Sequence, residues 1–137
     1  MAASDVSVRV PVDGPILVVD DDTSLREALQ EALQLGGRAT AAVADGGEAI
    51  AWLQAARPSL VLLDLSLPVM VGEEVATALR SRYGDAVPIV VMSAGADALT
   101  RARRLGAWEV LRKPFDLAEL LDVVQHALRD TARREGR

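Results

Sequence analysis

The sequence contains no cysteine, a single histidine and few aromatic residues. Without cysteine, disulfide frameworks, thiolate metal sites and thiol nucleophiles are excluded, and His126 alone cannot form a zinc site. Any bound metal must therefore be held by oxygen. No apolar run reaches the roughly 18 residues of a membrane-spanning helix, and residues 1–12 lack the pattern of a secretory signal. We therefore expect a cytoplasmic protein without a membrane partner.

Basic residues are also in the minority, with 15 Lys and Arg against 20 Asp and Glu, for a formal net charge of -5. A broad positive surface is therefore excluded, and we expect no direct contact with nucleic acid. Of the 15 basic residues, 14 are arginine and one is Lys113. Because a compact ammonium differs from a guanidinium in chemistry, this single lysine is a candidate functional residue.

What the chain does contain is enough apolar sequence, 50% of 137 residues, for the core of one domain. Short apolar runs alternate with amphipathic segments. The predicted strands cover residues 16–19, 38–43, 60–63, 89–92 and 110–112. The predicted helices begin at a capping box of Ser24 and Glu27, after the turn 45–47, and at residues 73, 97 and 116, the last ending near residue 129.

This fivefold alternation predicts an α/β domain with a parallel sheet and helices on both faces. We expect a disordered leader over residues 1–15, the domain over 16–129 and a C-terminal tail over 130–137. Since the tail is short, we expect no effector domain in this chain, and a stand-alone regulator and a segment of a larger protein both stay open.

Polar side chains follow four of the strands. They are Asp20 and Asp21 after the first, Asp64 after the third, Ser93 after the fourth and Lys113 after the fifth. Ligands of such sheets bind at the carboxyl ends of the strands, so these side chains are expected to converge.

The clustered aspartates need a partner of opposite charge. Two carboxylates about 4 Å apart repel by on the order of 4 kcal/mol at an effective dielectric near 20. A site of oxygen ligands alone suits Mg²⁺, with Mn²⁺ as the alternative. A cation, a lysine, a hydroxyl and a nucleophilic carboxylate together form a set for phosphoryl transfer.

In order and spacing, four segments resemble the receiver domain of two-component response regulators: ILVVDDD, LVLLDLSLP…G, IVVMSA and VLRKPF. The resemblance covers residues 16 to about 129. It implies a flavodoxin-like, doubly wound, five-stranded parallel sheet of order 2-1-3-4-5 with five helices.

The resemblance also implies roles for four residues at the acidic edge. Asp64 corresponds to the phosphoryl acceptor. Asp21 corresponds to a direct metal ligand and Asp20 to a residue acting mainly through water. The backbone carbonyl of Ser66 takes the remaining protein ligand position, so the implied metal set is Asp20, Asp21, Asp64 and Ser66.

The implied switch lies on the other side of Asp64. Ser93 resembles the switch hydroxyl and Lys113 the lysine that pairs with the phosphoryl group, so both are candidate catalytic residues. Pro114 is expected to follow a cis peptide bond. Val110 occupies a switch position where most members carry Tyr or Phe, which puts the usual aromatic relay in doubt. Val71 stands where Asp is common.

The implied partners are a histidine kinase or histidine phosphotransfer protein and an unknown downstream protein, with the chain a monomer or a phosphorylation-dependent dimer. We expect no enzyme beyond catalysis of its own phosphorylation and dephosphorylation. Two alternatives remain. A phosphatase of the haloacid dehalogenase type uses similar residues in a different order, and a degenerate receiver would bind partners without phosphorylation.

Some polar residues have a simpler structural interpretation. Asp22 is expected to cap the first helix or stay solvated, since carboxylates favour helix N-termini. Arg101, Arg103 and Arg104 are expected to be solvated helix charges. Trp108 is equally compatible with a core position and with partial exposure.

Overall fold

The computed structural model describes residues 14–134. Five parallel strands form one sheet in the order β2-β1-β3-β4-β5. The strands are β1 (Ile16–Val19), β2 (Thr40–Val43), β3 (Leu60–Asp64), β4 (Ile89–Ser93) and β5 (Glu109–Arg112). The helices are α1 (Thr23–Leu35), α2 (Gly46–Ala55), α3 (Val69–Tyr83), α4 (Ala98–Leu105) and α5 (Leu117–Arg134). The predicted fold class, strand order and number of helices are confirmed.

The three central strands are buried at every residue. Their side chains alternate between two apolar clusters, one on each face of the sheet, with Leu63 in one and Leu62 in the other. Because helices cover both faces, these strands are continuous apolar runs without the alternation of half-exposed strands. The first polar side chains of β1 and β3 therefore occur at their carboxyl ends.

The start of α1 differs from the predicted capping box. Asp22 is the N-cap, and its side chain accepts a hydrogen bond from the Leu25 amide at 3.1 Å. The prediction of a capping box formed by Ser24 and Glu27 is therefore wrong, whereas the expectation that Asp22 caps this helix is confirmed. The extended backbone of Asp22 puts its carboxylate where the free amides of the first turn point.

The boundaries of other elements also differ. Strand β2 begins at Thr40 rather than residue 38, and α3 begins at Val69 rather than residue 73. Pro68 immediately precedes α3, where its missing amide costs no helical hydrogen bond. Of the predicted leader, residues 1–13 lie outside the described residues.

Helix α5 extends to Arg134, so the predicted tail over 130–137 is helical up to residue 134. The reason is that Thr131 continues the buried face formed by Leu120, Val124 and Ala127. Its hydroxyl donates to the Ala127 carbonyl at 2.9 Å, which satisfies the polar group inside the apolar face.

Trp108 precedes β5 and is partly buried against the α5 side of the sheet. Its indole Nε1 donates to Asp130 at 2.8 Å, which ties the start of β5 to α5. Within residues 14–134, none of the helices combines the length and the apolar character needed to cross a membrane.

Candidate functional site

Three carboxylates meet at the carboxyl edge of the sheet. Asp20 and Asp21 follow β1, and Asp64 ends the neighbouring strand β3. One oxygen of each lies within 4.8 Å of the others. Asp20 and Asp64 are buried, whereas Asp21 is exposed. The structure thus brings the three predicted acidic residues together in a cluster that opens to solvent on the Asp21 side.

One carboxylate oxygen of Asp20 has no hydrogen-bond partner among the described residues. This atom is the buried Oδ2, whereas Oδ1 accepts from the Asp22 amide at 2.9 Å. Burial raises the pKa of Asp20; the Asp22 amide opposes this effect, and the nearby Asp64 carboxylate adds to it. A cation bound between the carboxylates would satisfy the orphan oxygen and offset the repulsion. The residues present therefore fit a hard divalent ion.

Asp64 is stabilised as a carboxylate. Its Oδ1 accepts from the Ser66 amide at 3.0 Å and from Lys113 Nζ at 3.1 Å, and its Oδ2 accepts from the Ser66 hydroxyl at 2.6 Å. Burial alone would raise the pKa of Asp64, but the hydrogen bonds from Ser66 and the Lys113 ammonium outweigh it and lower the pKa. Asp64 is therefore ionised at neutral pH, as a nucleophilic carboxylate requires.

Ser66 takes part through more of its groups than the sequence predicted. Sequence reasoning assigned only its backbone carbonyl, whereas the amide and the hydroxyl both contact Asp64. The carbonyl as a metal ligand stays a prediction. A serine two residues after a strand-end aspartate is within reach of that carboxylate, and this spacing was the available signal.

Ser93 ends β4, and Lys113 directly follows the neighbouring strand β5. The Lys113 amide donates to the Ser93 carbonyl at 2.9 Å. The Ser93 hydroxyl is buried and accepts from the Gly95 amide at 3.0 Å, so it is engaged within its own loop. The peptide bond between Lys113 and Pro114 is cis, as expected.

Arginine side chains hold backbone carbonyls of the loops around this site, which the sequence analysis missed. Arg26 donates to the Asp20 carbonyl at 2.8 Å, and Arg112 donates to the Gly95 carbonyl at 3.1 Å. A third arginine, Arg101, makes the corresponding contact to the loop that follows Asp64.

Arg101 donates from Nη1 to the Leu65 carbonyl at 2.7 Å. The prediction that it is a solvated helix charge is therefore wrong. The sequence did contain a signal, because Arg101 lies three residues after Ala98 and four before Leu105, both of which are buried. Residues at these spacings share one face of a helix, so Arg101 had to lie at the edge of the inner face of α4.

The two departures from the family pattern have apolar surroundings. Val110 is partly buried and packs against the cluster that contains Leu105. Val71 is partly buried and packs against Gly46, whereas Val69 and Met70 beside it are 55% and 64% exposed. The apolar run from Val69 to Val71 thus begins five residues after Asp64 in the chain. The role of Val110 in switching stays a prediction.

Comparison with known proteins agrees with this geometry. Residues 16–125 match the model of the response regulator receiver domain. The chain is 41% identical over 116 residues to the transcriptional regulatory protein PrrA of Mycobacterium tuberculosis, covering 83% of this chain and 49% of PrrA. It is 44% identical to the DNA-binding response regulator MtrA of Mycolicibacterium paratuberculosis, covering 83% and 51%. The chain thus spans about half the length of the curated relatives it matches.

Solved structures share the fold. The chemotaxis protein CheY4 of Vibrio cholerae superimposes with a TM-score of 0.74 at 32% identity, covering 83% of this chain and 98% of CheY4. The response regulator protein TrrA of Thermotoga maritima, solved in complex with Mg²⁺-BeF, has a TM-score of 0.73 at 31% identity, with the same coverage.

Proposed function

Because this chain belongs to the response regulator receiver family, we propose that it is a switch in which Asp64 accepts a phosphoryl group from a histidine kinase or histidine phosphotransfer protein. The observation that carries the proposal is the environment of Asp64. It is a buried, ionised carboxylate, 3.1 Å from the only lysine of the chain and within 4.8 Å of two further carboxylates.

The metal-binding residues would be Asp20, Asp21 and Asp64, with the Ser66 carbonyl completing the protein ligands. The donor set suits Mg²⁺, with Mn²⁺ as the alternative. When bound, the ion supplies positive charge that offsets the phosphoryl oxygens and the carboxylates. The unpaired Oδ2 of Asp20 supports this assignment.

The chain's own residues perform the transfer. An Asp64 carboxylate oxygen attacks phosphorus and forms an acyl phosphate, while the bond from phosphorus to the donor histidine nitrogen breaks and the imidazole leaves. If Oδ2 is the attacking atom, the Ser66 hydroxyl must first release it. Lys113 pairs with a phosphoryl oxygen, and Ser93 turns its hydroxyl from Gly95 toward another. No external substrate is turned over.

The donor protein has a suitable docking surface. An open depression of about 430 Å³ lies beside Lys113, the residue whose ammonium contacts Asp64. It is lined by Leu25, Ala94, Lys113, Pro114 and Phe115. Apart from the lysine, this lining is apolar. We propose that it receives the apolar face of the donor helix, which would bring the phosphohistidine to Lys113 and Asp64.

The curated relatives are about twice as long as the matched region, and one of them, MtrA, is named a DNA-binding response regulator. This name favours transcription as the output. We propose that this receiver, in the cytoplasm, controls a DNA-binding segment outside the matched half. The receiver itself would act through protein contacts, as a monomer or a phosphorylation-dependent dimer, because its net charge of -5 does not suit direct binding to nucleic acid.

Acetyl phosphate with Mg²⁺ tests the acceptor. Intact-protein mass spectrometry should show one added phosphoryl group on the wild type and on Asp22→Asn, a matched acidic control from the same edge, but none on Asp64→Asn. A label that persists on Asp64→Asn would refute the assignment. Turnover of many unrelated phosphoesters would instead favour the phosphatase, and no labelling by any donor would favour the degenerate receiver.

The docking surface needs a separate test with the cognate kinase. Leu25→Glu and Phe115→Glu should slow transfer from the kinase while labelling by acetyl phosphate is unchanged. Leu35→Glu is the control, because Leu35 is 78% exposed at the other end of α1. Equal transfer rates for all three variants would show that the donor docks elsewhere.

A further inference from the structure

One peptide group separates the Asp64 carboxylate from the guanidinium of Arg101. The Ser66 amide donates to Asp64 Oδ1 at 3.0 Å, and the carbonyl of Leu65 accepts from Arg101 at 2.7 Å. This N–H and this C=O belong to the same peptide unit, which is planar and rigid. A turn of this unit therefore changes both hydrogen bonds at once.

The hydrogen bond from Arg101 to the Leu65 carbonyl has two features that make it strong. The donor is charged, which strengthens a hydrogen bond relative to a neutral pair. Leu65 is buried, so water cannot easily replace the guanidinium if the bond is lost. Hydrogen bonds in such a chain also polarise one another. The carboxylate, the peptide unit and Arg101 thus form one connected chain.

Helix α4 has few other polar attachments to the acceptor side of the domain. Asp97 at its amino end makes no side-chain capping hydrogen bond. Its carboxyl end is held by α3, through Arg80 donating to the Leu105 and Gly106 carbonyls at 2.6 and 2.8 Å. Within residues 14–134, Arg101 makes the only side-chain hydrogen bond between α4 and the loop that follows Asp64.

We propose that Arg101 couples the position of α4 to the state of Asp64 through the Leu65–Ser66 peptide unit. The inference rests on the proposed function. Formation of the acyl phosphate turns the Asp64 carboxylate into a neutral acyl group, so the oxygen that accepts from the Ser66 amide becomes a weaker acceptor. The peptide unit then turns, and the guanidinium follows the Leu65 carbonyl or releases it. This link acts without an aromatic side chain at Val110, which is too short to sweep a large volume.

The first test uses beryllofluoride with Mg²⁺ as a mimic of the acyl phosphate, followed by backbone amide NMR. In the wild type, amides of both the site and α4 should shift. In Arg101→Ala, the site amides should still shift while the α4 shifts fall to less than half. The matched control is Arg103→Ala on the same helix, because Arg103 is exposed and makes no side-chain hydrogen bond or ion pair within the described part of the chain.

A second test does not require phosphorylation. Asp64→Asn alters the acceptor of the Ser66 amide in the ground state, so it should shift α4 amides in the wild-type background and shift them less than half as much when Arg101 is alanine. Arg101→Lys retains a charged donor and should restore part of the response. A merely structural contribution of Arg101 would leave this coupling unchanged.

The two tests separate the two hypotheses. If beryllofluoride shifts no amide of the wild type, the proposed function is refuted, and the Asp64→Asn comparison alone decides the coupling. Equal α4 responses with and without Arg101 in that comparison would overturn the role of Arg101, as would an equal loss in Arg103→Ala. The role is supported if Arg101→Ala is folded and its site amides shift while its α4 amides do not.

Discussion

The unpaired oxygen of Asp20 leads to a prediction that runs against the usual effect of altering a buried residue. Asp20 is fully buried, with Oδ1 bonded to the Asp22 amide at 2.9 Å and Oδ2 without a partner within the described residues. In Asp20→Asn, the amide oxygen can keep the first bond. The amide nitrogen replaces the orphan oxygen and becomes a donor beside the Asp64 carboxylate. The substitution therefore removes a repulsive charge without removing a partner.

The size of the effect follows from the geometry. Two unit charges 4.8 Å apart repel by about 3.5 kcal/mol at an effective dielectric near 20. Lys113, at 3.1 Å from Asp64, offsets part of this repulsion. The orphan oxygen adds a desolvation cost of about 1–3 kcal/mol, of which the amide recovers a part. We expect the free energy of unfolding without metal to rise by about 2 kcal/mol, or roughly 5–10 °C in Tm.

The pH dependence has a definite sign. The pKa of Asp20 is raised in the folded state above its ordinary value of 3.8, mainly by burial. Below pH 3.8 the carboxyl is protonated in both folded and unfolded states, so the penalty is absent. As pH rises through the folded pKa, the folded state must ionise a buried group and the penalty develops fully. The advantage of Asp20→Asn should therefore disappear below about pH 3.8.

Thermal melts in EDTA and in Mg²⁺ provide the assay. The control is Asp22→Asn, which neutralises an exposed charge in the same loop and keeps a good N-cap, so its stability should stay within about 0.5 kcal/mol of the wild type. At Mg²⁺ ten times above Kd, the wild type should gain about 1.4 kcal/mol, a gain that Asp20→Asn should largely lose. If Asp20→Asn melts below the wild type in EDTA, or together with Asp22→Asn, the reasoning is refuted.

Three further outcomes follow from the same contacts. Lys113→Ala and Ser66→Ala should each raise the pKa of Asp64, read from carboxyl carbon NMR titration, because each removes a hydrogen bond to the carboxylate; an unmoved titration in both would contradict the geometry of the site. The stability that the lowered pKa of Asp64 supplies is present above pH 3.8 and lost as pH falls from there through the folded pKa. Because both variants raise the folded pKa, their urea melts should show a smaller loss that is complete at a higher pH than in the wild type. Leu63→Ala should cost about 2–5 kcal/mol in urea unfolding, since the side chain is fully buried; the control Leu35→Ala, at a site 78% exposed, should change stability by no more than about 0.5 kcal/mol, and similar losses in both would contradict the assignment of the core.

The sheet could be predicted because each central strand is a short apolar run that ends in a functional polar residue. A strand covered on both faces must be apolar throughout, and β3 shows this from Leu60 to its terminal Asp64. The approach of Asp20 and Asp64 could be predicted for the same reason, since the carboxyl ends of neighbouring parallel strands share one edge. The boundaries of α3 and α5 were missed where Pro68 starts one helix and Thr131 extends the buried face of the other.

The contacts of the arginines could not be predicted in the same way. A guanidinium that reaches a backbone carbonyl 36 residues away depends on the three-dimensional distance between two elements, as for Arg101 and Leu65. Composition indicates only that arginine is abundant. Helical spacing placed Arg101 near the inner face of α4, but nothing in the sequence identified its acceptor. The hydroxyl of Ser66 is an intermediate case, because its partner is only two residues away.

If α4 moves as proposed, the hydrogen bonds from Arg80 to its carboxyl end would make this helix a lever. Its pivot lies at Gly106, whose left-handed backbone ends the helix and whose carbonyl Arg80 holds. Eight residues of helix are about 12 Å long, so a rotation of roughly 10° about the pivot moves the amino end by about 2 Å and the carboxyl end hardly at all. A partner seated on Leu99, which is 52% exposed, would therefore receive an amplified signal, whereas one seated on Arg104 would receive almost none.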